Sequence, residues 1–182
     1  GADEGIYIAM RVPLEPGDHA VVVTPNYQAA ETVPLSICEV TGVALDPDDG
    51  WSLDIDKVAA ALRPNTRVVS INFPHNPTGK ILERDRFDAL VALCRQHGIW
   101  LFSDEVYRPL GASGTVHLPN VADVYERGIS LNVMSKAYGL PGLRIGWIAC
   151  ADRDLLQRME RYKHYLSICN AAPSEQLALI AL

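Results

Sequence analysis

One stretch combines residue types that could carry covalent chemistry: Ser135-Lys136-Ala137-Tyr138-Gly139-Leu140-Pro141-Gly142-Leu143-Arg144-Ile145-Gly146-Trp147. It holds one lysine, three glycines and one arginine, directly after the strand-like run Ile129–Met134. An amine held at the end of a buried strand is desolvated, which favours its neutral, nucleophilic form. Such an amine can form a Schiff base with an aldehyde. Arg144, eight positions on, carries a guanidinium fork suited to clamping a phosphate. An aldehyde and a phosphate on one small molecule suggest pyridoxal phosphate (PLP), whose chemistry needs that lysine. A surface lysine beside a glycine-rich turn is the plainer reading of the same residues. A dinucleotide loop fits worse, because Gly139, Gly142 and Gly146 do not make G-x-G-x-x-G.

Four further residues share one topological position. Tyr27, Asn76, Asp104 and Lys136 each fall just after an apolar, strand-like run: His19–Val23, Thr66–Phe73, Ile99–Ser103 and Ile129–Met134. Between these runs the apolar period becomes helical, as in Arg84–His97, where Phe87, Leu90, Val91 and Cys94 share a face and Gly98 ends the helix. Further helices are predicted over Ala2–Arg11, Gln28–Leu35, a segment capped by Asp54, Asp152–Tyr165 and Ser174–Leu182. Strands are predicted at Glu39–Ala44 and Arg144–Cys150, and a loop and short helix between Asp104–Tyr107 and Lys136's strand. Alternating strands and helices predict an α/β fold, three-layer α/β/α around a mostly parallel sheet. A parallel sheet brings its strand ends to one edge, so the four residues would line one pocket.

The chain's 182 residues suffice for one domain burying roughly 70% of its unfolded surface. Its 16 basic and 22 acidic residues leave a net charge of −6, which argues against nucleic acid or an anionic membrane as main partner. No apolar run approaches the roughly 20 residues of a membrane helix, and no signal sequence is evident, so a cytoplasmic location is expected. Cys38, Cys94, Cys150 and Cys169 lack C-x-x-C pairing, and the histidines lack ligand spacing; free thiols and no metal are expected. The chain opens at Gly1 and closes within a helical run, which reads as a segment of a longer chain.

With these residues in view, the chain resembles the class I/II PLP-dependent aminotransferases, the fold-type-I group related to aspartate aminotransferase. The resemblance spans essentially the whole chain. It rests on N-P-T-G at Asn76–Gly79, D-E-V-Y at Asp104–Tyr107 and S-K-x-x-G-x-x-G-x-R-x-G at Ser135–Gly146, in that order.

The resemblance implies roles for individual residues. Lys136 would carry the Schiff base and shuttle a proton, and Asp104 would keep the pyridine nitrogen protonated. Asn76 and Tyr107 would hydrogen-bond the ring's O3′, and Tyr27 would stack on its face. Arg144 would bind the phosphate, helped by backbone N–H groups of Ala2 and Asp3 at a helix N-terminus. Asp3's carboxylate would repel a phosphate, so only its N–H should face the site. Many relatives carry a serine three places before the lysine; here that place is Val133, and Ser135 is a substitute whose adjacent strand position points elsewhere. His75 is expected near the site as a loop residue. Plainer roles stand beside these: a helix cap for Asp104, a turn for Asn76, core aromatics for Tyr27 and Tyr107, and a salt bridge for Arg144.

The implied activity is a transaminase moving an amino group between an amino acid and a 2-oxo acid through a Lys136 Schiff base, in a homodimer. Residues 1–182 would be the PLP-binding large domain, with an N-terminal part and a C-terminal small domain outside them. Other reactions of the same cofactor shell, by C–S lyases, synthases and amino acid cyclases, are the alternative, as is a ligand-sensing domain of a regulator.

Overall fold

The computed structural model describes residues 1–110 and 118–182. Six strands form one sheet: β1 His19–Thr24, β2 Glu39–Ala44, β3 Thr66–Asn72, β4 Trp100–Asp104, β5 Gly128–Val133 and β6 Gly146–Cys150, in the order β2-β1-β3-β4-β5-β6. All neighbours pair in parallel except β5 and β6. The expected mostly parallel α/β sheet is therefore what forms. The predicted strand over Arg144–Cys150 begins two residues late, at Gly146, and runs antiparallel to β5. Residues 134–145 form successive turns and a short 3-10 helix over Pro141–Leu143 instead of the longer crossover a parallel return needs, so the chain doubles back.

Seven helices accompany the strands among the described residues: α1 Ala2–Arg11, α2 Gln28–Leu35, α3 Ile55–Ala61, α4 Arg84–His97, α5 Val121–Val124, α6 Arg153–Leu166 and α7 Ala172–Ala181. Local chemistry sets several ends. Asp54 caps α3 by accepting from the Asp56 and Lys57 amides, and Asp152 caps α6 through the Leu155 amide. Gly98 closes α4 at φ +64°, a backbone angle that favours glycine. The loop predicted between Tyr107 and the short helix α5 falls largely on residues 111–117, outside the described residues.

Strand alternation sends side chains to two cores. Val21, Val23, Val69, Ile71 and Leu101 pack against Phe87, Leu90 and Cys94 of α4. Ala20, Val68, Phe102, Ile129 and Leu131 pack on the other face, against Ile6 and Met10 of α1 and Met159 of α6. The result is helix, sheet, helix. Gly5 lets α1 lie close on the sheet: a Cβ there would come within 2.5 Å of the buried Leu131 side chain. The first turn of α1 is thereby held over the carboxyl ends of the central strands. Among the described residues, no helix is long and apolar enough to cross a membrane.

Candidate active site

The carboxyl ends of β1, β3, β4 and β5 and the first turn of α1 enclose a cavity of about 260 Å³. Every residue given a cofactor role from the sequence lines it: Ala2, Asp3, Tyr27, Asn76, Asp104, Tyr107, Ser135, Lys136 and Arg144. The cavity lies beside the β1–β3 junction, where the chain's winding about the sheet reverses direction.

Asp104 is the last residue of β4, one position earlier than the sequence suggested, and only 5% exposed. Burial pushes its carboxyl up to about 7, opposed by the Val106 N–H it accepts and the Lys136 ammonium, and assisted by the carboxylates of Glu105 and Asp3. One Asp104 oxygen takes the Val106 N–H at 3.2 Å, a local turn contact and not the helix cap of the plainer reading, because turn residues and only a short 3-10 helix over Arg108–Leu110 follow. A buried acid with few partners suits a cationic ring N–H, which would restore its ordinary ionisation.

Asn76 reaches the cavity from the loop after β3. Its backbone N–H donates to Asn72 Oδ1 at 2.9 Å, while Asn72 Nδ2 donates to the Asp104 carbonyl at 2.9 Å. Asn72 lines the cavity too and was missed in the sequence. An asparagine closing an apolar strand was the available signal, because a buried amide must find partners. Ile6, Val106, Val133 and Pro141 complete the wall. His75 is buried but faces away from the cavity. Its Nε2–H donates to the Pro25 carbonyl at 2.9 Å, so Nδ1 accepts from the Thr78 hydroxyl at 2.8 Å, and burial lowers its proton affinity. It braces the loop.

Lys136 differs from expectation. It stands three residues beyond the end of β5, exposed rather than desolvated, with Nζ 5.7 Å from the centroid of the half-buried Tyr107 ring. The strand ends at Val133, so the backbone has already turned outward, and Tyr107 covers only one side of the ammonium. Tyr107 is therefore partly a core aromatic: it packs against the core on the α1 face of the sheet and also turns towards Lys136.

Ser135 is the second departure. Strand alternation would turn it away, but pairing has stopped at Val133 and its hydroxyl accepts from Arg144 Nη1 at 3.1 Å within the cavity. Arg144 holds a left-handed backbone, φ +55°, which aims its side chain back across the turn, where Nη1 also donates to the Pro141 carbonyl at 2.9 Å. Its guanidinium lies on the start of α1: a Cβ on Gly1 would sit 2.5 Å from Nη2. Guanidinium, hydroxyl and the amide-rich end of a ten-residue helix converge, an arrangement suited to holding an anion.

Asp3 is the third departure. Its carboxylate is not turned out of the site but accepts the Tyr27 hydroxyl at 3.0 Å and raises the Asp104 carboxyl through space. Tyr27 is 42% exposed, its ring standing at the cavity rim.

The donor set fits pyridoxal phosphate: an anion site at one end, a buried acid deep in the cavity, amide and phenol donors beside it, an aromatic ring at the rim and a primary amine. Among the described residues, no cluster of three or more His, Cys, Asp or Glu side chains could hold a metal ion.

Comparison with known proteins places the arrangement. The aminotransferase class I and II family matches residues 1–181. The chain is 36% identical over 154 residues to a Pseudomonas aeruginosa protein named arginine–pyruvate transaminase AruH, covering 81% of this chain and 38% of that one. It is 32% identical to capreomycidine synthase of Streptomyces vinaceus, covering 100% of this chain and 46% of that protein. A crystal structure of a PLP-dependent aminotransferase from Streptococcus suis superposes with a TM-score of 0.93 at 33% identity, over 100% of this chain and 48% of that chain. The chain thus spans less than half the length of these relatives. It belongs to the class I and II aminotransferases, a family of PLP-dependent enzymes.

Proposed function

We propose that residues 1–182 form the cofactor-binding large domain of a PLP-dependent transaminase that moves an amino group between an amino acid and a 2-oxo acid. The observation carrying this reading is the meeting of Asp104, Lys136 and Arg144, from three separate strand ends, in one cavity. Bound there, the cofactor supplies an aldehyde for an amine and a ring that accepts electrons.

The chain's residues divide the remaining work. Arg144, Ser135 and the α1 amides bind the phosphate. Ionised Asp104 holds a proton on the ring nitrogen, while Asn76 and Tyr107 donate to the ring oxygen and Tyr27 covers the ring face. Lys136 Nζ would supply the amine for that aldehyde and, when free, would accept the proton that leaves the substrate α-carbon. The groups that hold the substrate carboxylate are assigned to a small domain outside residues 1–182.

The parent protein is read as a cytoplasmic homodimer. Location is supported by four free cysteines, one of which, Cys94, burial pushes up to about 12, far from any reactive state. Dimerisation is what the resemblance to the class I and II aminotransferases implies.

The test is PLP titration of the full-length protein followed by borohydride reduction and peptide mapping. Reduction should fix the cofactor onto Lys136, and Lys136→Ala should show neither the visible band nor the adduct. A fixed adduct on another lysine would overturn the assignment. A second reading, an amino acid cyclase or lyase, draws support from the identity to capreomycidine synthase. A transaminase regenerates PLP only when a 2-oxo acid is supplied, whereas a cyclase or lyase turns over without an acceptor.

A further inference from the structure

We infer that Asn72 is a positioning residue: its single side chain locks the backbones that present Asp104 and Asn76, and so sets the spacing between the acid and the amide on which the cofactor rests. The inference depends on the PLP reading of the cavity.

Asn72 closes β3 and is the register partner of Asp104 at the end of β4. It is 3% exposed, so both halves of its amide need partners inside the protein. Both have them, and each belongs to the site. Nδ2 donates to the Asp104 carbonyl at 2.9 Å, fixing the peptide plane from which the Asp104 side chain departs. Oδ1 accepts the Asn76 N–H at 2.9 Å, fixing where the loop after β3 turns back over the cavity. Asn72 also lines the cavity wall.

His75 braces the loop after β3 against Pro25 and Thr78, but among the described residues only the Asn72 side chain hydrogen-bonds that loop to the end of β4. Two strands that stop at the same register would let their following loops drift apart, since ladder hydrogen bonds end there. One planar amide with a donor and an acceptor on opposite sides joins them at fixed separation. Serine is too short to span both partners, and aspartate supplies acceptors only at neutral pH. Asn72 need not touch the reacting atoms; it acts through the two residues that do.

The test compares Asn72→Ala and the near-isosteric Asn72→Asp with the wild type in the full-length protein, reading PLP affinity and the pH midpoint of the bound cofactor's visible band. Ser70→Ala is the control: Ser70 lies on the same strand, buried, and its hydroxyl has no hydrogen-bond partner among the described residues. Asn72→Ala should bind PLP roughly tenfold more weakly, and its band midpoint should rise by about 0.5–1 in pH as the Asn76 donor drifts from the ring oxygen; Asn72→Asp, which keeps the acceptor for the Asn76 N–H but loses the donor to the Asp104 carbonyl, should weaken PLP by a similar factor. Ser70→Ala should change neither. A folded Asn72 variant that lowers only the melting temperature, with wild-type affinity and midpoint, would overturn the positioning role.

Should both variants fail to fold, 15N spectra of the wild type decide: the Asn72 side-chain amide should be protected from exchange and should shift when PLP binds. An unprotected, unshifted signal overturns the inference. A wild-type protein with no band at all would instead overturn the PLP reading itself.

Discussion

Tyr27 donates its hydroxyl to Asp3 Oδ1 at 3.0 Å, tying the loop after β1 to the first turn of α1 across the rim of the cavity. The pair joins the ring expected to cover the cofactor to a carboxylate beside the anion site. That bond also raises the Tyr27 phenol above its ordinary value, so it remains a donor throughout the physiological range.

Removing the charge of Asp3 should therefore act on Asp104. Asp3→Asn keeps an acceptor for Tyr27 and deletes one of the carboxylates that raise Asp104, so the Asp104 carboxyl should titrate below about 7. Carbonyl 13C shifts followed through a pH series in the cofactor-free protein measure this. An unchanged Asp104 midpoint would mean that the two carboxylates do not interact.

The raised Asp104 carboxyl has a consequence for stability. Folded, it titrates near 7, against about 3.9 unfolded. Between those values the folded state binds the extra proton, so this contribution is complete below about pH 4 and lost as pH rises through 7. Without cofactor, wild type should lose stability from pH 5 to pH 8 relative to Asp104→Asn, by about 2 kcal/mol in urea denaturation. Equal slopes for the two proteins would contradict it. With substrate, the same substitution should slow turnover by at least roughly 100-fold, because a neutral amide cannot hold the ring proton.

Arg144 and Val133 address the anion site from two sides. Arg144→Ala removes a guanidinium already oriented by Ser135 and Pro141, and PLP affinity should fall roughly 10- to 100-fold. Val133→Ser places a hydroxyl on the cavity wall and should tighten PLP a few-fold at some cost in core burial. Equilibrium dialysis against PLP reads both.

Gly5→Val tests how α1 is seated. Its new side chain would drive into buried Leu131, lowering stability by about 2–3 kcal/mol and displacing the helix start. Thermal melts should show the loss, and PLP affinity should fall with it, because the α1 amides would leave the anion site. A destabilised variant with full affinity would show that the helix contributes nothing to phosphate binding.

The sequence alone carried the architecture and the membership of the site. Continuous apolar runs ending in Tyr27, Asn76, Asp104 and Lys136 can be satisfied only by a buried parallel sheet, and such a sheet gathers its strand ends. Its helix limits were legible because caps and stops are local, as at Asp54 and Gly98. Orientation was not local. Whether Ser135 faces the cavity depends on where pairing stops, and that is set by β6 ending its ladder at Val133, not by residue type. Lys136's exposure likewise depends on what packs around the turn, and Asp3's direction on where Tyr27 arrives from another loop. Asn72 shows the same limit: an asparagine at a strand end announces a need for partners, but only the register of β3 against β4 decided which backbones it joins.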